Sequence, residues 1–447
     1  MKKFFQLLLP ITIFAVRVSF LPISCPAQSH YHFFYGKVIT AENRQPLSNV
    51  NLSFVGSDMG TVSGKDGSFS FYMDKLPIIM VVSHIGYKTR KIMLNERSDE
   101  LVLVMEKAVH ELKEVEITAN KIVPFFKSER YTIRDYEIDS GMVYLLVFRN
   151  RVSKEELICK NTDGDTVARS GVLGFTPLTL LKDCLGYLHI YGEDSVYQVY
   201  RSGRELQMIY PVTTGLFSSF LGNCVTSTEK ALYFRKMFAA SQGVIYYGVD
   251  KTSRVKKVLA TVKDRYRLNL LRNNFMDAIF LSKTSAGGDA WDLSKESEDL
   301  VSLSEMRGKF DEWNWVHKVV YRPMKTALLK VGDELCVFDI PGKAVEFYDM
   351  DGNFRLQLVL NVDGVSGNKW SGDILQDEAK SKVYTTFLEG EVSMLYRIDM
   401  NSGDLHRILA IQHPFPEKIK VYNDQLYYLY NVMGDPDNKT LYRQNLY

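Results

Sequence analysis

Proline and cysteine are scarce in this sequence, with 13 and 5 among 447 residues, and tryptophan is scarcer at 4. So little proline excludes a collagen-like or proline-rich disordered chain. No Cys-x-x-Cys pair occurs, and the eight histidines show no ligand spacing, so neither a zinc pattern nor any other metal or cofactor is expected. Gly-x-Ser-x-Gly, His-Glu-x-x-His and Gly-x-x-x-x-Gly-Lys are also missing, which argues against the commonest hydrolases and nucleotidases. The one pronounced apolar run, Phe4 to Val16, stops at Arg17 and is too short to span a bilayer.

That run follows Lys2 and Lys3 and precedes Cys25-Pro26-Ala27, the order of a secretory signal with cleavage after Ala27. Residues 1–27 are therefore expected to be removed, leaving an exported protein, periplasmic or outer-membrane-associated, with no transmembrane span. Acylation of Cys25 is the lesser alternative. Cleavage at Ala27 would leave Gln28-Ser29-His30 as a terminus, which reads as a solvated tail rather than a metal site. Removing the leader leaves 52 basic against 53 acidic side chains, a balance that does not suit a nucleic-acid partner. Cys159, Cys184, Cys224 and Cys336 remain, with three possible pairings, and are read as buried small hydrophobes in a domain of this size.

What is abundant is aromatic: 26 Tyr and 25 Phe, alternating with polar residues in short runs, predict an all-β protein. Between residues 34 and 118 seven such runs are split by turns, among them Asp66-Gly67 and Gly86, and this predicts a small β-sandwich. Gly36-Lys37-Val38-Ile39, Pro46-Leu47, Gly60-Thr61-Val62, Asp66-Gly67-Ser68-Phe69 and Ser83-His84-Ile85-Gly86-Tyr87-Lys88 together resemble the carboxypeptidase-like regulatory domain. That family is a transthyretin-like sandwich of exported Bacteroidetes-type proteins, and the resemblance implies no peptidase activity. Leu112 to Thr118 is similar to the segment leading into TonB-dependent receptors, but the remaining length holds no plug and barrel.

Beyond a linker at 119–129, residues 130–447 repeat a unit of aromatic strand, second strand, polar turn and third strand. Turns centred on Gly164, Gly203, Ser253, Gly352 and Gly403 recur at propeller-blade spacing once a helical insert at 264–322 is set aside. Six blades result, similar to exported NHL-like β-propellers. The last repeat lacks a strand, and Arg130 to Arg134 is expected to supply it by pairing with Lys439 to Asn445. Asp349-Met350-Asp351-Gly352-Asn353 begins like a calcium loop but lacks Gly and Glu at the required places, and is read as a hairpin turn.

Trp291, Trp313 and Trp315 fall in the third interblade link and Trp370 in the fourth, one face of the ring. They are the candidate binding residues, with packing of the insert as the competing role. The function expected is a non-enzymatic binding or scaffold protein of the bacterial cell envelope. Its sandwich would dock it, and its propeller face would recognise an envelope protein or a glycan. The alternative is a polysaccharide- or peptide-acting enzyme with acids such as Asp289, Glu312 and Asp373 converging in the propeller mouth.

Overall fold

The computed structural model describes residues 31–57, 59–96, 100–108, 122–149, 154–238, 242–269, 323–365, 368–431 and 439–447. Seven strands form the N-terminal sandwich: β1 (His32–Thr40), β2 (Asn51–Phe54), β3 (Gly60–Val62), β4 (Ser68–Met73), β5 (Ile78–Ser83), β6 (Arg90–Leu94) and β7 (Glu100–Met105). Sheet β4-β1-β7 faces sheet β6-β5-β2-β3. Alternation puts Phe34, Val38, Phe71 and Leu103 of the first against Leu52, Met80, Val82 and Ile92 of the second, all buried. Gly67 turns with φ +74°, and a Cβ there would lie 2.4 Å from the Val38 carbonyl oxygen, so the Asp66-Gly67 hairpin demands glycine.

The other described residues form six four-stranded antiparallel units, the blades of a propeller, and the outer strands of the first two also meet in a parallel pair at Arg169 and Glu205. After β8 (Val123–Phe126), blade 1 comprises β9 (Tyr131–Asp139), β10 (Met142–Arg149), β11 (Glu155–Asn161) and β12 (Thr166–Val172). Blade 2 holds β13 (Pro177–Lys182), β14 (Leu188–Gly192), β15 (Ser195–Ser202) and β16 (Glu205–Thr213), and blade 3 holds β17 (Cys224–Ser227), β18 (Ala231–Phe238), β19 (Gly243–Asp250) and β20 (Lys256–Lys263). In blade 4 are β21 (Thr326–Val331), β22 (Glu334–Asp339), β23 (Ala344–Tyr348) and β24 (Phe354–Val359). Blade 5 contains β25 (Lys369–Asp377), β26 (Lys382–Glu389), β27 (Val392–Ile398) and β28 (Leu405–Ala410). Blade 6 takes β29 (Glu417–Tyr422), β30 (Gln425–Asn431) and β31 (Lys439–Asn445), and β8 completes it.

Ring closure thus uses the N-terminal side of the propeller, as expected, but through a different strand. Val123–Phe126, inside the stretch read as linker, pairs with β31, while Arg130 to Arg134 leads into and lies within the inner strand of blade 1. The exchange has a physical cause. Strand β9 buries most of its residues, as an inner strand must, whereas Pro124 donates no backbone hydrogen bond and is tolerated on an outer edge. Turn chemistry repeats between third and fourth strands. Asn161, Asp250, Asp349 and Asp399 each accept backbone N–H groups of the following turn through Oδ1, so the Asp349 segment is the hairpin expected.

Apolar clusters fill the junctions between blades 6 and 1, 1 and 2, 3 and 4, 4 and 5, and 5 and 6. At the junction of blades 2 and 3 a Cys184–Cys224 disulfide ties the β13–β14 turn to the start of β17, with Cα atoms 5.5 Å apart. Only Cys159 and Cys336 are the buried free thiols expected of all four. Residues 265–269 start a helix, with Asp264 Oδ1 accepting the Arg267 N–H at 2.9 Å; the remainder of the 264–322 insert lies outside the described residues.

Candidate functional site

The inner strands surround the propeller axis, and their charges are placed by alternation. In β9 Asp135, Glu137 and Asp139 share one face, and Lys418 and Lys420 of β29 reach the first two of them. Asp135 is buried and accepts Lys418 Nζ at 2.5 Å, the Leu180 N–H at 2.8 Å and the Thr179 hydroxyl. Lys420 binds Glu137 at 2.6 Å, and Lys182 bridges Asp139 at 3.2 Å and Glu378 at 2.8 Å. Burial works against the charge on Lys182, yet its two carboxylate partners hold its pKa above the ordinary lysine value. Asp377, fully buried, takes the N–H groups of Asn423 and Asp424 at 2.9 and 2.8 Å. These acids clamp blade to blade, and each spends its charge on a neighbour.

Of the acids named for catalysis, Asp373 is ion-paired with Lys325 at 2.6 Å, and Asp289 and Glu312 lie outside the described residues. Among the described residues no group of three His, Cys, Asp or Glu is arranged to hold a metal. Asp183 and His189 meet at 2.9 Å in the turn beside the disulfide. Burial penalises the Asp183 carboxylate, but His189 and two turn N–H groups keep its pKa below the usual range. A cavity of about 370 Å3 opens nearby between blades 2, 3 and 4, lined among others by Lys182, Cys224, Arg235, Tyr246 and Thr326.

Trp291, Trp313 and Trp315 also lie outside the described residues. Trp370 does not sit in a link: it is the second residue of β25, opposite Phe387. Its ring is half-buried against the core shared by blades 4 and 5, and its indole N–H donates to the Thr385 hydroxyl at 2.7 Å. Trp370 thus packs on this core while part of its ring stays open to solvent.

Two features escaped the sequence reading. First, β6 pairs antiparallel with β24, joining the sandwich to blade 4 in one eight-stranded sheet. Around this seam Lys88 bridges Glu106 at 3.0 Å and Asp399 at 2.7 Å, Asn401 donates to Glu106, and Asn95 donates to Gln357 at 3.2 Å. Arg90 is buried there and gives its guanidinium to the Val104 carbonyl at 2.7 Å, and burial pushes its pKa down to about 10. One apolar cluster runs from the sandwich into blades 4 and 5 without a break. The second feature is the outer face of β4-β1-β7, where Tyr31, Phe33, Tyr35 and Tyr72 are exposed. Phe33 lies 4.8 Å from Tyr72 and 6.0 Å from Tyr35, centroid to centroid. The alternation Tyr31-x-Phe33-x-Tyr35 was the available signal.

No curated protein matches the sequence. Among solved structures, a luciferin-regenerating enzyme is 11% identical, with 73% of this chain and 95% of that chain covered at a TM-score of 0.33. The calcium-binding protein regucalcin from Agrobacterium tumefaciens is 11% identical over 73% and 92%, at 0.32. A DUF4623 family protein from Bacteroides eggerthii is 8% identical over 87% and 88%, at 0.32. These likenesses are too distant to bear on activity. Residues 34–117 match the sequence model of the CarboxypepD_reg-like domain, and the N-terminal sandwich is a domain of that kind.

Proposed function

We propose that the protein is a non-enzymatic binding scaffold of the bacterial cell envelope, exported by its leader, with the sandwich as a docking arm fixed to an NHL-like propeller. The observation that carries this reading is the shared sheet. Because β6 is consumed by β24, the sandwich cannot swing, and its opposite sheet is left presenting Phe33, Tyr35 and Tyr72 to solvent. Exposed aromatic clusters on a rigid support are what partner and glycan surfaces use. The axial acids support a binding role as well, since each is neutralised by lysine or backbone N–H groups rather than held for proton transfer. The recognition surface proposed on the propeller is the one the sequence assigns to Trp291, Trp313, Trp315 and Trp370, the first three of which lie outside the described residues.

The test uses immobilised full-length protein against envelope extract and a glycan array. Retention of a partner is expected, weakened at least tenfold by Phe33→Ala with Tyr72→Ala at unchanged melting temperature. Robust turnover of a glycan or peptide panel, or retention indifferent to both substitutions, would overturn the reading. Fractionation tests export separately, since an unprocessed cytoplasmic chain contradicts it.

A further inference from the structure

Blade 3 concentrates positive charge as no other part of the ring does. From Cys224 to Lys263 it has eight basic residues and two acidic ones, a net charge of +6 in a chain whose total is +2. Arg254, Lys256, Lys257 and Lys263 stand exposed along or beside its outer strand β20. Strand β20 pairs with β19 on one side, and among the described residues no strand pairs with the other. Lysines on an edge ordinarily guard it against aggregation. This edge also bares Val255 at 63% and Val258 at 62%, which a merely guarded edge would not display. Beside it runs a cleft of about 550 Å3 between blades 3 and 4, lined by Val258, Leu259, Tyr348 and Phe354, with Lys257 and Glu346 at its margin. Glu346 is engaged by the Tyr348 hydroxyl, and Lys257 by Asn353 at 3.0 Å.

The adjacent blade shows what such an edge accepts: β24 takes β6 as a fifth strand. We propose that β20 binds an extended, acidic and apolar segment of a partner protein as a fifth strand of blade 3, with carboxylates on the face that carries Lys256 and Lys263 and apolar side chains on the opposite face. Backbone pairing supplies the attachment and charge selects the partner. A second copy of this chain does not suit the site, because two β20 edges would set lysine against lysine. The inference does not depend on the aromatic surface of the sandwich.

The experiment takes the full-length protein and two fluorescein-labelled, acetylated eight-residue peptides, one alternating glutamate with valine and one alternating lysine with valine. Anisotropy should show the glutamate peptide binding at least tenfold more tightly, and hydrogen exchange should slow at residues 256–263. The Lys256→Glu/Lys257→Glu variant, whose changes are both exposed, should abolish that preference at unchanged melting temperature. A preference below tenfold overturns the proposal, as does binding without protection at 256–263. It also fails if phosphatidylglycerol vesicles bind while the peptide does not, or if the protein self-associates through lysines 256 and 257.

Discussion

Replacing Asp399 tests whether sandwich and propeller behave as one body. Its side chain is 7% exposed, and Oδ1 accepts the turn N–H of Asn401 at 3.0 Å while Oδ2 binds Lys88 at 2.7 Å. Breaking a fully buried ion pair costs about 3–5 kcal/mol. Lys88 is 35% exposed and keeps Glu106, so solvent and the second acid reduce this, and Asp399→Ala should cost about 1.5–2.5 kcal/mol. Roughly 1 kcal/mol of that is the turn hydrogen bond, which Asp399→Asn retains. A double-mutant cycle of Lys88→Met with Asp399→Asn should then report a coupling of about 1 kcal/mol. Burial disfavours the Asp399 carboxylate, but Lys88 and the turn N–H groups outweigh it and hold its pKa below the ordinary value. The coupling is therefore full above the unfolded carboxyl value near 4 and disappears as pH falls through the lower folded value. Urea unfolding followed by circular dichroism, at pH 7 and through the acid range, measures it. The wild type should unfold in one transition. A coupling below about 0.3 kcal/mol, or one unchanged in acid, would refute a charge seam between the two parts.

The disulfide closes a 40-residue separation, so Cys184→Ser with Cys224→Ser should lower stability in urea by about 4 kcal/mol, and a loss under about 1 would mean the seam holds without it. At Gly403, φ is +77° and a Cβ would stand 2.0 Å from the Val359 carbonyl oxygen, so Gly403→Ala should cost more than about 4 kcal/mol. Gly352, with φ +76° but nearest neighbours at 3.3 Å, should lose only about 1 kcal/mol as alanine, and equal melting temperatures would contradict the distinction. Deleting residues 438–447 removes β31 and the partner of β8, and should abolish the cooperative thermal transition of the whole ring; a merely broadened transition would count against closure through this blade.

The second and third strands of the blades could be read from sequence because alternation and Asx turns are local: β22 and β23 precede the Asp349 turn where the pattern placed them. The seven sandwich strands were legible for the same reason. Edge pairing was not, since nothing in Arg90 to Leu94 names Gln357 and Leu358 as partners. β8 hid because proline marks it as a poor strand, although an outer edge forgives the missing donor. The axial acids carried a signal in the Asp135-Glu137-Asp139 alternation, but their neutralisation depends on Lys418 and Lys420 from the far end of the chain. Trp370 could be placed near a blade boundary but not inside β25, because a strand's first residue is set by its pairing partner.

Strands β6 and β8 are made early, yet their partners, Gln357–Leu358 and Leu441–Arg443, come far later in the chain. Until those partners are made neither pairing can form, so domain-by-domain folding from the N-terminus would leave a bare β6 edge waiting. Such distant pairings are slow to form. A chain ending between Leu358 and Leu441 would still pair β6 but would leave β8 without its partner, an exposed edge open to proteolysis.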